Sequence, residues 1–185
     1  MIVSLIGWFG TFLYLLNHAY ISLNQIWKRR LYYGGNTIAA SCLIISSYYS
    51  YSWQAVVINC FWALTSLALL CSLDLTKIKL DRRIFHLLVI AMLLVFFAEC
   101  VFKGQFNLAL LGWMSAIAFS GSYLLFGAGK MPAKFYFCWN AFAAIVILPQ
   151  LWLDQNWPVF ALEICWAVIS IFGVSRSAEQ VNLVQ

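Results

Sequence analysis

The sequence predicts an all-α integral membrane protein: seven transmembrane helices in a 3+1+3 arrangement of two parallel triple-helix repeats. Three observations predict it. The chain is 64% hydrophobic and only 9% charged, against about 25% charged residues in a soluble domain, so its charges cannot cover a water-facing surface. Its apolar runs reach the roughly 20 residues that a helix needs to cross a bilayer. And the stretch Trp53 to Leu69 returns at Trp157 to Gly173, 104 residues later.

That repeat is carried by matched positions. Each copy has a Trp, a polar residue six places on (Asn59, Glu163), a second Trp at nine (Trp62, Trp166), then Ala63 and Ser66 or Ala167 and Ser170. Upstream, Arg30-Leu-Tyr32 with Asn36, Ala39 and Ala40 returns as Lys134-Phe-Tyr136 with Asn140, Ala143 and Ala144. Gly7-Trp8 returns as Gly112-Trp113. The order is the same in both halves, which is the pattern of a duplicated membrane unit.

Taken in order, the spans are expected at Ile2–Leu23, Tyr32–Tyr49, Gln54–Leu73, Arg83–Val101, Asn107–Phe126, Ala133–Leu151 and Trp157–Val174. The first lacks the basic start and small-residue cleavage pattern of a secretory signal and reads as a retained span. The second is polar for a membrane helix. The first repeat is residues 1–73, a basic loop and linking span occupy 74–104, the second repeat is 105–176, and residues 177–185 form a polar cytoplasmic tail, with fraying expected from Ser175 to Gln185.

Charge orients the chain. With seven spans, one face receives Lys28, Arg29, Arg30, Lys77, Lys79, Arg82, Arg83, Lys130, Lys134 and Arg176, and the other only Lys103. Basic residues resist translocation, so the rich face is cytoplasmic, the N-terminus outside and the C-terminus inside. The net charge of +5 therefore reports membrane orientation rather than a nucleic-acid partner. A plasma membrane, the bacterial inner membrane, is the expected location. Each repeat has an odd number of spans, so the linking span lets both run in the same direction.

This order of triple-helix unit, linking helix and second unit resembles the SWEET sugar transporters, the PnuC-type vitamin transporters and the wider PQ-loop clan. The repeated unit looks most like small bacterial membrane proteins of that clan. The residues that carry the resemblance are Gly7, Trp8, Gly10, Asn36, Asn59 and Trp62, with Gly112, Trp113, Asn140, Glu163 and Trp166. The clan's Pro-Gln is absent from the end of the first helix, where Asn24-Gln25 is the nearest echo, and its hinge prolines are missing. The resemblance implies that Asn59 and Glu163 stand on opposite walls of one central cleft.

Glu163 is the sharpest candidate. It lies roughly 9 Å inside span seven at 1.5 Å per residue. A charge at such depth costs about 2.5–3.5 kcal/mol on insertion scales and should meet a partner or water. It either accepts hydrogen bonds from a polar solute, exchanges protons during transport, or holds a neighbouring helix as a neutral acid. Asn59 offers donors and acceptors to a neutral ligand, or an interhelical hydrogen bond. Trp62 and Trp166, three residues further, share the faces of Asn59 and Glu163 and either stack on a solute or pack between helices. Asn36 and Asn140 follow Tyr32 and Tyr136 by four residues and read more as structure than as binding. Trp27, Trp53, Trp152 and Trp157 fall at span ends, in the interfacial belt.

His18 and His86 have no acidic partner at a useful spacing, and Glu99 reaches the interface. The KIKLDRR segment, Lys77 to Arg83, can meet anionic headgroups, although topology alone accounts for it. The six cysteines are scattered in apolar runs without a CxxC pair, so no metal, cofactor or disulfide is expected. No catalytic motif is present, and an enzyme is not expected. The expectation is a transporter of a small neutral polar solute: a sugar, a nucleoside-like vitamin or an amino acid. The competing expectation is a non-transporting module that binds lipid or assembles beside a membrane enzyme. The partners are the lipid bilayer, the solute and further copies of the chain.

Overall fold

The computed structural model describes residues 2–23, 28–77, 79–104 and 106–182. It is all-helical: α1 is Ile2–Leu23, α2 Arg29–Tyr49, α3 Trp53–Leu70, α4 Arg82–Lys103, α5 Leu108–Gly127, α6 Ala133–Leu153 and α7 Trp157–Asn182. A short 3-10 turn, Leu75–Lys77, precedes α4. Among the described residues, α3, α4, α5, α6 and α7 up to Ser175 are long and apolar enough to cross a membrane, and α1 contributes the shorter apolar stretch Ile2–His18.

Most helix ends fall within three residues of expectation, α2 for instance starting at Arg29 rather than Tyr32, and two of the differing ends have a plain physical cause. The third helix stops at Leu70, not Leu73, because Ser72 turns to φ 60° and Leu73 N–H returns to the Ala68 carbonyl. The tail is not frayed from Ser175: α7 continues as helix to Asn182. Apolarity ends there, but Arg176, Ala178, Glu179 and Gln180 are good helix formers, and hydropathy marks a membrane edge rather than a helix end. The Asn24-Gln25 echo and Trp27 lie outside the described residues.

The chain packs as two compact units, one of Met1–Asp74 with Leu151–Leu162, the other of Leu75–Gln150 with Glu163–Gln185. In the first, α2 packs against both α1 and α3. This explains its polarity: Asn36, Ser46 and Ser47 are buried inside the unit, with Ala39, Ala40 and Leu43 fully covered. Small residues let the backbones approach. A Cβ on Gly10 would stand 2.9 Å from the Ala39 carbonyl oxygen, so only glycine fits there.

In the second unit, Phe85 and Val89 of α4, Met114 and Leu125 of α5, and Met131 form a buried apolar cluster, with Leu80, Trp139 and Phe142 packed on it. Ser115 Oγ donates to the Ala143 carbonyl at 2.7 Å and ties α5 to α6. Ser115 and Ala143 occupy the repeat positions of Gly10 and Ala39. The same close crossing is thus kept by a glycine in one repeat and by a serine hydroxyl in the other.

The duplication reaches the turns. Tyr51 and Gln155, equivalent in the repeat, both adopt positive φ, 54° and 52°. Ser52 N–H donates to the Ser47 carbonyl at 2.9 Å, and Asn156 N–H to that of Leu151 at 3.0 Å. Tyr51 N–H donates to Tyr48, and Gln155 N–H to Trp152, each at 3.1 Å. Edge-to-face aromatic pairs brace both turns: Tyr48 with Trp53 at 5.5 Å and Trp152 with Trp157 at 4.9 Å. Left-handed backbone is costly for Tyr and Gln, so its recurrence at matched positions is a structural signature of the repeat.

Candidate functional site

Each expected site residue is placed by its helix. In the first unit, Asn36 of α2 is buried and accepts a hydrogen bond on Oδ1 from Asn17 Nδ2 of α1 at 2.8 Å. Asn17 also donates to the Tyr32 carbonyl at 2.6 Å. Asn59 of α3 is 5% exposed and donates back to the Ala55 carbonyl one turn earlier at 2.9 Å. Trp62, also buried, meets the Tyr14 ring edge-to-face at 5.8 Å.

In the second unit, Asn140 of α6 occupies the repeat position of Asn36 and is equally buried, but it has a different partner. Its Oδ1 accepts from the Trp166 Nε1–H of α7 at 3.1 Å, and its Nδ2 donates to the Tyr136 carbonyl at 2.8 Å. Asn36 and Asn140 therefore each have an interhelical hydrogen-bond partner. Trp166 is committed in the same way.

Glu163 differs from all of these. It is 6% exposed, and its Oε2 has no hydrogen-bond partner among the described residues. Buried polar atoms are paired in the great majority of cases, so an orphaned carboxyl oxygen inside a membrane-spanning helix calls for an explanation.

A buried polar cluster not anticipated from the sequence lies in the first unit. There the α2–α3 turn meets the equivalent α6–α7 turn. Ser52 Oγ donates to Asp154 Oδ2 at 2.6 Å. Asn156 Nδ2 donates to Ser47 Oγ at 3.0 Å. Thr11 Oγ1 of α1 donates to the Pro158 carbonyl at 2.7 Å. Ser47, Ser52 and Asn156 are each 0% exposed, and Asn156 Oδ1 accepts no hydrogen bond among the described residues. Ser52 and Asn156 are repeat equivalents, each just before a tryptophan that opens a helix. That shared place before Trp53 and Trp157 was the available signal. It reads as helix capping, whereas the Ser52 hydroxyl reaches Asp154 instead of its own helix.

The remaining groups are peripheral. Lys103 pairs with Glu99 at 2.7 Å, and Asn107 donates to the same carboxylate at 2.8 Å, both exposed. Trp53, Trp152 and Trp157 are between 41% and 57% exposed. Among the described residues, no group of three or more His, Cys, Asp or Glu side chains is gathered to hold a metal ion.

A protein-family model without an established function matches residues 3–77 and 108–180, and the chain belongs to that family. The two matched segments hold the two sequence repeats and leave out α4. No curated protein and no solved structure matches the chain.

Proposed function

We propose that this family member carries a small neutral polar solute across a membrane, with Glu163 and Asn59 as its principal solute-binding groups. The observation that carries the reading is the orphaned Oε2 of Glu163, buried in a helix apolar enough to span. Holding an unsatisfied polar atom there costs about 1–3 kcal/mol. Such a cost is kept where an occupant supplies the missing donor, and the hydroxyl or amide groups of a sugar, nucleoside or amino acid would do so. Asn59, whose amide donates to the Ala55 carbonyl of its own helix, and the ring faces of Trp62 and Trp166 complete the proposed set. Asn36 and Asn140 act behind them as positioning residues.

All seven helices cross the membrane in this proposal. The equivalence of α1 with α5, and of α2 with α6, supports this for the two helices that composition alone does not assign. The basic loops then lie in the cytoplasm and the N-terminus outside. The 3+1+3 order and the matched polar positions keep the likeness to SWEET-type transporters within the proposal.

The test is uptake into proteoliposomes of purified protein, using labelled hexoses, nucleosides and neutral amino acids. At least one class is expected to accumulate, and Glu163→Ala and Asn59→Ala, verified as folded, are expected to cut that uptake at least tenfold. Absence of uptake for every class, or uptake indifferent to both substitutions, contradicts the proposal.

A further inference from the structure

A second site lies at the basic end of the second unit. Lys79, Leu80, Asp81, Arg82 and Lys130 line an open groove of about 420 Å³. Lys130 comes from the α5–α6 turn, about 50 residues from the others in sequence, so the fold assembles a cluster that the KIKLDRR run does not contain by itself. The groove is held in shape from both sides. On one, Asp81 caps α4 by accepting the Arg83 N–H at 2.8 Å. On the other, Gly129 turns left-handed at φ 69°, and Lys130 N–H returns to the Leu125 carbonyl at 2.8 Å. Leu80 and the neighbouring Met131 are anchored in the apolar cluster with Phe85 and Leu125.

The described residues that line the groove bring three cations together, Lys79, Arg82 and Lys130, with Asp81, whose carboxylate caps α4; the helix N-terminus adds further positive potential. The adjoining turns of α4 set its height in the bilayer: Ile84, Leu87 and Leu88 are 53%, 65% and 50% exposed. Exposed leucines at that density belong among acyl chains, so the groove one turn earlier lies in the headgroup layer.

We propose that this groove binds the phosphate of an anionic phospholipid headgroup, with Lys79, Arg82 and Lys130 as its ligands and the exposed face of early α4 beside the acyl chains. The site is independent of solute transport and needs only that α4 enter the bilayer. Juxtamembrane cations contribute on the order of 1 kcal/mol each toward anionic lipid, which is about fivefold in affinity per residue.

The experiment is native mass spectrometry of the full chain with equimolar phosphatidylglycerol and phosphatidylcholine. Inorganic phosphate is added in a separate arm. The wild type is expected to retain phosphatidylglycerol at least tenfold more strongly than phosphatidylcholine. The triple variant Lys79→Gln, Arg82→Gln, Lys130→Gln is expected to lose that preference. A variant with the same charge loss elsewhere, Lys28→Gln, Arg29→Gln, Arg30→Gln, is expected to keep it. Circular dichroism confirms that each variant is folded; should the groove triple misfold, the single Lys130→Gln is read instead, with about a fivefold loss expected. Equal retention of both lipids, equal losses in the two triple variants, or displacement of the lipid by millimolar phosphate overturns the assignment.

Discussion

The pair Asn140–Trp166 gives the most quantitative prediction, because two buried side chains on different helices share one hydrogen bond of 3.1 Å. Asn140→Ala removes the acceptor that the Trp166 indole N–H uses, in a residue 9% exposed. Interhelical hydrogen bonds in membrane proteins contribute about 0.6 kcal/mol on average and up to about 1.7. Removing one partner of a buried hydrogen bond costs about 1–3 kcal/mol. The single variant is therefore expected to lose about 2 kcal/mol. Trp166→Phe removes the donor and also some packing, so its own cost is not diagnostic. The double-mutant cycle isolates the pair and is expected to give a favourable coupling of about 0.6–1.7 kcal/mol. Unfolding in mixed micelles with increasing SDS, followed by Trp fluorescence and circular dichroism, measures all four corners. A coupling below about 0.3 kcal/mol, the scatter of independent sites, would refute the claim that Asn140 is spent on holding α7.

Other positions give simpler expectations. Gly10→Val forces side-chain atoms onto the Ala39 carbonyl and should cost at least the 1–3 kcal/mol of an overpacked core, while Gly34→Ala, with nothing near its Cβ position, should be neutral or stabilising by the same SDS titration. Ser52→Ala removes the 2.6 Å hydrogen bond to Asp154 and should destabilise by about 1.5–3 kcal/mol, as bonds to charged groups do. Asp154→Asn, which retains an acceptor oxygen, should cost less than Ser52→Ala.

Much of the architecture was legible because bilayer solvation writes itself directly into sequence. The apolar runs marked the helices, and the 104-residue offset between Trp53 and Trp157 marked a duplication that the matched backbones of Tyr51 and Gln155 repeat. The turn geometry itself was hidden, since positive φ is normally signalled by Gly or Asn, and here Tyr and Gln adopt it. The polarity of α2 looked anomalous only until its Asn and Ser side chains were seen to be packed between α1 and α3. The contacts of Ser52 with Asp154 and of Asn156 with Ser47 were out of reach. They depend on how two distant turns register against each other, which periodicity within a helix does not encode. Equivalent positions also do not carry equal partners. Asn36 and Asn140 share a position, yet one pairs with Asn17 and the other with Trp166. Position 17 carries Asn, while its repeat equivalent is Ser122, whose hydroxyl donates to the Phe119 carbonyl one turn back instead.

Transport through this chain requires that Glu163 line a path that water and solute reach. The direct measurement is thiol labelling of Glu163→Cys, in a background with the six native cysteines replaced, by a membrane-impermeant methanethiosulfonate reagent. Ala143→Cys, in a residue 0% exposed beneath the Ser115 hydroxyl, is the unreactive reference. Modification of position 163 well above that reference, slowed by the transported solute, is the predicted result. A cysteine at 163 as inert as the one at 143, from both sides of the membrane, would contradict the transport proposal.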